Sequence, residues 1–226
     1  MPQSVTGAAQ LGTVHISRVT RRADLRRAKE LVERIYGERY GVSFTDGTPD
    51  PHQRLEPWPD RFVMAQFEGR IVAVGGLYTG ITYAERYSGL TRADLEAAVA
   101  SAGVDPRGRD FVEYGRLTVA PGWEGIGPIF LTVTHSRGFL APEGGRTPFV
   151  LACAKVSVFR LCERARIKTR TLGLFPSYPS HERYRTPTDP METRITIPEL
   201  DLDPLMHALQ LPLNLDLAIH GVRRVA

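Results

Sequence analysis

The segment that constrains this chain most is FVEYGRLTVAPGWEGIGPIFL, which occupies residues 111–131. Its first half is an apolar run with the length of a buried strand, and the Ala-Pro-Gly that follows indicates a turn. Gly125 and Gly127 then lead into an apolar stretch that predicts a helix, with Pro128 at the first helical position, where its missing N–H costs nothing. Such a turn leaves free backbone N–H groups at a helix start, where a phosphate can bind. A plain strand–turn–helix connection without a ligand is the alternative.

The rest of the sequence mixes strand and helix patterns. Strands are predicted at residues 13–19, 61–67, 70–77, 110–119, 148–154, 170–175 and 192–197, and helices at residues 21–40, 91–102, 128–140 and 156–166. Residues 78–90 show no regular pattern, and the apolar segment 213–219 could either pair as an edge strand in a dimer or cover the chain's own core. Hairpins combined with crossover helices predict an α+β fold, in which helices flank a mixed, mostly antiparallel sheet of about six or seven strands.

The length predicts one domain with short additions at its ends. A chain of 226 residues suits a single domain or one domain with an appendage. We expect residues 1–12 to be disordered and residues 13–199 to form the main domain, with an insertion at residues 78–109. Residues 200–226 would then form a C-terminal extension. The sequence does not indicate an oligomeric state.

The composition argues against several classes of function. The formal net charge is +4, and nearly all the basic residues are arginine, which favours bidentate contacts to phosphate and carboxylate. This charge is too small to indicate nucleic-acid binding, and no nucleic-acid motif accompanies it. The two cysteines, Cys153 and Cys162, have neither zinc-site spacing nor a Cys-x-x-Cys redox motif. We find no signal-peptide pattern and no stretch near the ~20 apolar residues that span a bilayer, so a cytoplasmic protein without a membrane span is expected.

The order of elements, with VAPGWEGIGPIF at its centre, resembles the GNAT superfamily of N-acyltransferases. The family pattern is a strand ending in Val-x-Pro, then an aromatic residue, then Arg/Gln-x-x-Gly-x-Gly/Ala at the start of a helix. The residues that fit are Val119, Pro121, Trp123, Gly125 and Gly127. Glu124 stands where the family usually has a basic residue or glutamine, and Ile129 where it has a small residue. The resemblance covers residues 13–197.

A narrower resemblance is to two GNAT relatives, the autoinducer synthases and the long-chain N-acyl amino acid synthases. Both carry Glu-x-Ser-Arg on the central strand, where this chain has Glu113-Tyr114-Gly115-Arg116. Both also have an insertion before that strand, which residues 78–109 would supply. Gly115 replaces the serine, and the chain has Gly-Gly-Leu-Tyr at residues 75–78 where homoserine-lactone makers carry an arginine. N-acylation of another amine is therefore expected, rather than lactone synthesis.

The resemblance implies a substrate set. The acyl donor would be a phosphopantetheine thioester, carried either by coenzyme A or by an acyl carrier protein, and the acceptor a small-molecule amine such as an amino acid. The backbone of Leu117 and Val119 would bind the pantetheine arm, while Gly125 and Gly127 would let the turn approach a phosphate closely. No metal is required.

Two charged residues on the central strand are the main candidates for chemistry. Glu113 matches the position of a general-base glutamate in several GNAT enzymes, and burial beside an acyl chain would raise its pKa toward a useful value. A structural carboxylate paired with Arg116 is the alternative. On a regular strand Arg116 points away from Glu113, although a bulge would change that. Arg116 could bind a substrate carboxylate, order a substrate loop or form a structural ion pair.

Further charged residues bear on whether coenzyme A or a carrier protein presents the acyl group. Glu124 beside a phosphate turn would repel the pyrophosphate of coenzyme A, which favours a carrier-protein donor unless its side chain simply points to solvent. A basic stretch follows on and after a predicted helix, and its members are Arg160, Arg164, Arg166, Lys168 and Arg170. An acidic carrier protein could dock there, but a solvated helix face is the simpler interpretation.

Several aromatic residues are weaker candidates. Tyr178 lies in the polar loop before the last predicted core strand, a region where some GNAT enzymes have a tyrosine general acid for the departing thiolate. Trp58 could line the acyl or amine pocket, as could Tyr36. For each of them, packing is the alternative. Cys153 has no partner histidine in view and is set aside as a nucleophile.

These observations predict an N-acyltransferase in which the amine attacks the thioester directly, with Glu113 as the base. Two alternatives stay open. One is a short-chain acetyltransferase that acts on a small molecule, which a short acyl pocket would favour. The other is a non-catalytic protein that binds acyl thioesters as a sensor or scaffold, for which Glu124, Ile129 and the altered Glu-x-Ser-Arg give some support.

Overall fold

The computed structural model describes residues 12–40, 58–141, 145–174, 190–204 and 214–219. The strands are β1 (Gly12–Arg18), β2 (Arg61–Phe67), β3 (Arg70–Thr79), β4 (Phe111–Val119), β5 (Phe149–Lys155), β6 (Arg170–Leu174), β7 (Met191–Thr196) and β8 (Asn214–Ile219). The helices are α1 (Arg22–Tyr40), α2 (Thr82–Ser88), α3 (Arg92–Ser101), α4 (Gly127–Thr134), α5 (Arg137–Leu140), α6 (Val156–Arg164) and α7 (Pro198–Asp201), with a short 3₁₀ turn at Glu124–Ile126.

The strands form one eight-stranded sheet in the order β6-β7-β5-β4-β3-β2-β1-β8. Only β4 and β5 are parallel among the described pairs, and the other neighbours are antiparallel. The expected α+β class with a mixed, mostly antiparallel sheet is therefore confirmed. The sheet has one strand more than expected, because β8 pairs with β1 and extends the chain's own sheet.

Two helical layers cover the sheet. One face packs against α1, α2 and α3 through two apolar clusters, in which Phe62 and Val74 meet α1 while Phe111 and Leu151 meet α2 and α3. The opposite face packs against α4, α5 and α6 around the fully buried Phe130. Because β4 and β5 lie in the middle of the sheet, both layers reach them. In the described part of the chain, no helix is long and apolar enough to cross a membrane.

The structure corrects the sequence analysis at two helical segments. Residues 82–88, which show no helical pattern in the sequence, form α2, bounded by Gly80 and Gly89. The helix predicted at residues 128–140 is broken after Thr134, since Ser136 is extended with ψ of 150°. A run of β-branched residues before the break weakens helix propensity there. By contrast, α3 lies within the predicted residues 91–102 and begins with a capping box formed by Thr91 and Asp94.

A β-bulge in β4 decides which side chains share a face. Two residues of β4, Arg116 and Leu117, stand opposite Gly75 of β3, and Arg116 has a positive φ of 56°. A regular strand would have put Arg116 on the face opposite Glu113. The bulge instead turns the Arg116 side chain toward α1 and α2, where it meets the ring of Tyr83. Glu113 and Arg116 therefore lie on the same face, whereas Leu117 packs toward α4–α6.

Candidate active site

A wedge-shaped gap opens in the middle of the sheet, between β4 and β5. The paired residues of these parallel strands end at Glu113 and Leu151. Beyond that pair, β4 continues to Val119 and β5 to Lys155, with a cleft between them. Among the described strands, none pairs with the β5-facing edge of β4 from Tyr114 onward. Backbone polar groups on such an edge need a partner, which a ligand can provide.

The cleft is small, positively charged and lined from both helical layers. Its volume is about 120 Å³. Its basic lining side chains are Arg39, Arg116, Lys155 and Arg194, and no carboxylate lines it among the described residues. On the α4–α6 side the cleft is closed by the buried Leu131 and Phe159. Leu117 and Val119 both line the cleft, where the sequence predicts the pantetheine contacts.

Glu113 is held at the narrow end of this wedge by the start of α2. Its carboxylate oxygen Oε2 accepts hydrogen bonds from the backbone N–H of Tyr83 at 2.6 Å and of Ala84 at 3.4 Å. These amides belong to the first turn of α2, whose N-cap residue, Ile81, makes no side-chain capping bond. Glu113 therefore caps α2 from a distant part of the chain, which satisfies helix donors that would otherwise be buried without partners.

The environment of Glu113 suits a general base. The side chain is 1% exposed, and this burial raises its pKa from 4.5 to about 7 because the charged form loses its hydration. The two α2 amides, the thiol of Cys153 and the charge of Arg116 act in the opposite direction and lower the pKa. The net result is a carboxyl group that can both accept and release a proton near neutral pH.

Arg116 is enclosed by aromatic rings. Its guanidinium donates a hydrogen bond to the hydroxyl of Tyr83 and lies 5.1 Å from the centre of that ring. The ring of Tyr36, on α1, lies 6.0 Å away on the wall of the cleft. Tyr83 therefore contacts both charged residues, through its backbone N–H to Glu113 and through its hydroxyl to Arg116. This arrangement holds Arg116 on the same face as Glu113, where a guanidinium can bind an anionic group.

The turn after β4 differs from the expected phosphate loop. Within this turn the positive φ, 82°, belongs to Gly122 and not to Gly125 or Gly127. The Gly122 N–H donates to the carboxylate of Glu124 at 3.2 Å. Pro128, in the first turn of α4, has no N–H to offer. Gly127 allows α4 to pack closely against α6, since a Cβ there would lie 3.0 Å from the side chain of Leu161. A Cβ at Gly125 would meet nothing within 4 Å. Fewer amides are thus available to a phosphate here than the sequence pattern suggests.

The other predicted site residues that the structure describes do not line the cleft. Trp58 packs against Phe62 and the ammonium group of Lys29 on the α1 side, and its role in substrate binding stays a prediction. Tyr178 falls outside the described residues. In the basic stretch, Arg166 and Arg170 form ion pairs with Asp203 and Asp201, whereas Arg160 and Arg164 are exposed on α6.

Two neighbours of Glu113 are not predicted from the sequence. Tyr83 lies in a segment without a predicted structure, and Cys153 has no partner histidine that would indicate a role. The structure places the Cys153 thiol beside Glu113 and 3.4 Å from the hydroxyl of Thr193. Nothing local in the sequence links these residues. The sequence signal that bears on Cys153 is the alternation along β5, which puts Cys153 on the same face of the sheet as Leu151.

Known structures share this fold at low sequence identity. The acyl-homoserine lactone synthase LasI is 14% identical, with a TM-score of 0.51 over 83% of this chain and 90% of that one. FeeM, an N-acyl amino acid synthase from uncultured soil microbes, is 12% identical, with a TM-score of 0.55 over 85% and 94%. The coenzyme A-dependent acyl-homoserine lactone synthase BjaI, solved with SAM and isopentyl-CoA, is 16% identical, with a TM-score of 0.51 over 85% of both chains. These similarities establish the GNAT-like fold that the sequence resemblance predicts.

Two further comparisons, made with the sequence itself, found no match. No protein-family model matches it, and no curated protein matches it significantly.

Proposed function

We propose that this protein is an N-acyltransferase that moves an acyl group from a phosphopantetheine thioester to an amine such as an amino acid. The observation that carries the proposal is the wedge between β4 and β5, with a base of pKa about 7 at its narrow end. The unpaired edge of β4 suits the amides of a pantetheine arm, and the basic lining suits its phosphate. The shared fold with acyl-transferring enzymes is consistent with this function.

The chemistry follows from the arrangement of these groups. The thioester carbonyl would lie against the free edge of β4, where backbone N–H groups can stabilise the developing oxyanion. Glu113 would accept the proton of the attacking amine, directly or through a water. Arg116, on the same face, would bind the carboxylate of an amino-acid acceptor. The thiolate then leaves with its carrier and takes up a proton, for which Tyr178, outside the described residues, is the predicted general acid.

The turn favours a carrier protein over coenzyme A as the donor. The Glu124 carboxylate already occupies the N–H of Gly122, and its negative charge disfavours the pyrophosphate of coenzyme A. A carrier-protein arm has a single phosphodiester, which this turn can accommodate more easily. A specific observation also supports a shorter acyl group, since the cleft is small and the buried Leu131 and Phe159 line it.

Native mass spectrometry with defined donors tests this proposal. The purified protein would be mixed with acetyl-, octanoyl- and palmitoyl-coenzyme A and with the same acyl groups on an acyl carrier protein, and thiol release would then be followed with the amino acids as acceptors. Binding of an acyl carrier protein followed by amino-acid-dependent thiol release is expected. Low-micromolar binding of coenzyme A esters would contradict the donor preference. Binding of no donor in either form would overturn the function itself.

The pH dependence of turnover should report the pKa of Glu113. Its carboxyl must be deprotonated to accept a proton, and its folded pKa is raised to about 7, so kcat/KM is expected to increase as the pH rises through about 7. The rate would be measured from about pH 5.5 to about pH 9 in wild type and in Glu113→Gln. Deprotonation of the acceptor amine also increases the rate, but that inflection remains in Glu113→Gln. A profile with the same inflections in both proteins would exclude Glu113 as the base.

A further inference from the structure

A buried base must lose the proton that it takes from the amine, and Glu113 has few routes for this. It is 1% exposed, and its Oε2 is occupied by amides that donate and cannot accept a proton. On the cleft side, a bound thioester would exclude the water that could otherwise remove the proton. Among the described residues, the neighbour of Glu113 that can relay a proton is Cys153, a half-buried side chain on the same face of the sheet whose thiol interacts with the carboxylate.

Cys153 begins a chain of hydroxyl and thiol groups that leads away from the cleft. Its register partner on β7 is Thr193, which is fully buried, and the Cys153 sulfur lies 3.4 Å from the Thr193 hydroxyl oxygen. That oxygen lies 2.6 Å from the hydroxyl oxygen of Ser88, which also interacts directly with the Cys153 thiol. Ser88 is the last residue of α2 and is partly exposed to solvent. The three groups therefore connect the interior next to Glu113 with the surface.

We propose that Cys153, Thr193 and Ser88 form a proton path between Glu113 and solvent. This inference rests on the proposed function, because a path is needed only if Glu113 acts as a base. Each of the three groups carries one hydrogen and has a lone pair, so each can accept a proton on one side while it releases another. The path uses no water in the cleft and can operate while the acyl donor is bound.

The transfer balances at every atom. The Glu113 carboxyl gives its proton to the sulfur of Cys153 as the S–H proton passes to the oxygen of Thr193. The Thr193 hydroxyl proton moves to Ser88, and the Ser88 proton moves to water. Each O–H or S–H bond that breaks is replaced by a new one, so the three side chains end neutral and the carboxylate is restored. The two hydrogen bonds of Thr193 can run in either direction, as this shift requires.

Thr193→Val is the most direct test of the path. Valine keeps the shape of threonine and removes the hydroxyl in the middle of the path. With a donor and an amine that give turnover in wild type, we expect kcat to fall by about ten-fold, a part of the 10²–10⁴ that acid–base catalysis contributes. KM should change little, and the solvent deuterium isotope effect on kcat should increase because proton release becomes slower. Ser88→Ala should act in the same way.

Matched variants separate a proton path from simple packing. Thr134→Val removes a buried hydroxyl that bonds to Leu131 and Tyr114, outside the path, and it should leave the isotope effect unchanged. Cys153→Ser keeps a group that donates and accepts, so it should retain turnover, whereas Cys153→Ala should behave like Thr193→Val. Loss of turnover in Cys153→Ser together with an acyl adduct on wild-type Cys153 would make the cysteine a nucleophile and overturn the path.

The remaining outcomes also decide the question. A wild-type isotope effect and kcat in both Thr193→Val and Ser88→Ala, in a protein that loses activity on Glu113→Gln, would overturn the path while the proposed function stands. Turnover that survives Glu113→Gln would remove the need for a path and would contradict the assigned base. A reduced kcat with an unchanged isotope effect would show that Thr193 only supports the packing around Glu113. Absence of turnover with every donor and amine would overturn both proposals.

Discussion

Replacement of Glu113 by glutamine is expected to lower kcat by about 10²–10⁴-fold while donor binding persists, because general-base catalysis contributes about that much. The two α2 amides donate to the same carboxylate oxygen, Oε2. The glutamine amide oxygen can take its place, so the cap on α2 should survive. The measurement is steady-state kinetics together with donor affinity by titration calorimetry.

A matched Glu113→Ala variant separates catalysis from structure. Alanine removes the cap and leaves the N–H groups of Tyr83 and Ala84 without their acceptor, which costs about 1–2 kcal/mol and lowers Tm by roughly 2–8 °C. In Glu113→Gln at pH 8, Tm should equal or exceed that of wild type. The pKa of Glu113 is raised from 4.5 to about 7 in the folded protein, so the free energy of unfolding decreases as the pH rises through this range. A neutral glutamine amide avoids this loss. Wild-type kcat in Glu113→Gln would refute the base assignment.

Filling the wedge with an aromatic ring is expected to abolish donor binding. Ala152 is a partly buried residue of β5 that lines the cleft. A phenylalanine there would occupy the volume that the thioester arm needs, so we expect donor affinity to fall by at least about 100-fold, or ~2.7 kcal/mol. Native mass spectrometry of the donor complexes and calorimetric titration would measure the loss.

The control for this variant adds the same bulk outside the cleft. Thr171 is exposed on β6 and lies outside the cleft lining, so Thr171→Phe should bind the donor with wild-type affinity. Circular dichroism would confirm that both variants are folded. Unimpaired donor binding in Ala152→Phe would show that the thioester does not enter between β4 and β5.

The sequence predicts most of the sheet because strand and turn signals are local. Alternating apolar patterns locate the seven strands from β1 to β7, and Gly-containing turns locate their ends. The capping box at Thr91 and Asp94 is likewise encoded within four neighbouring positions. By contrast, α2 has no complete local signal, since its cap comes from Glu113, on a strand 30 residues further along the chain. A helix that depends on a distant side chain cannot be found from local propensity.

The candidate site shows the same division between local and distant signals. Glu113 could be identified as a buried carboxylate on the central strand, but its role as the cap of α2 could not. The direction of the Arg116 side chain follows from the bulge opposite Gly75, and that bulge depends on the register between β3 and β4. Trp58 packs against Lys29 and Phe62, and its role in substrate binding stays a prediction.

The sequence by itself determined the order of the elements, the strand–turn–helix unit of residues 111–131 and the presence of a carboxylate at position 113. Each of these depends on residues that are close together in the chain, where periodicity and turn chemistry act directly. Only the tertiary structure decided that β4 and β5 separate after Glu113 and that Cys153, beside Glu113, meets Thr193, which in turn meets Ser88. The physical reason is that strand register and packing between elements join residues that are distant in sequence, and no local pattern specifies them.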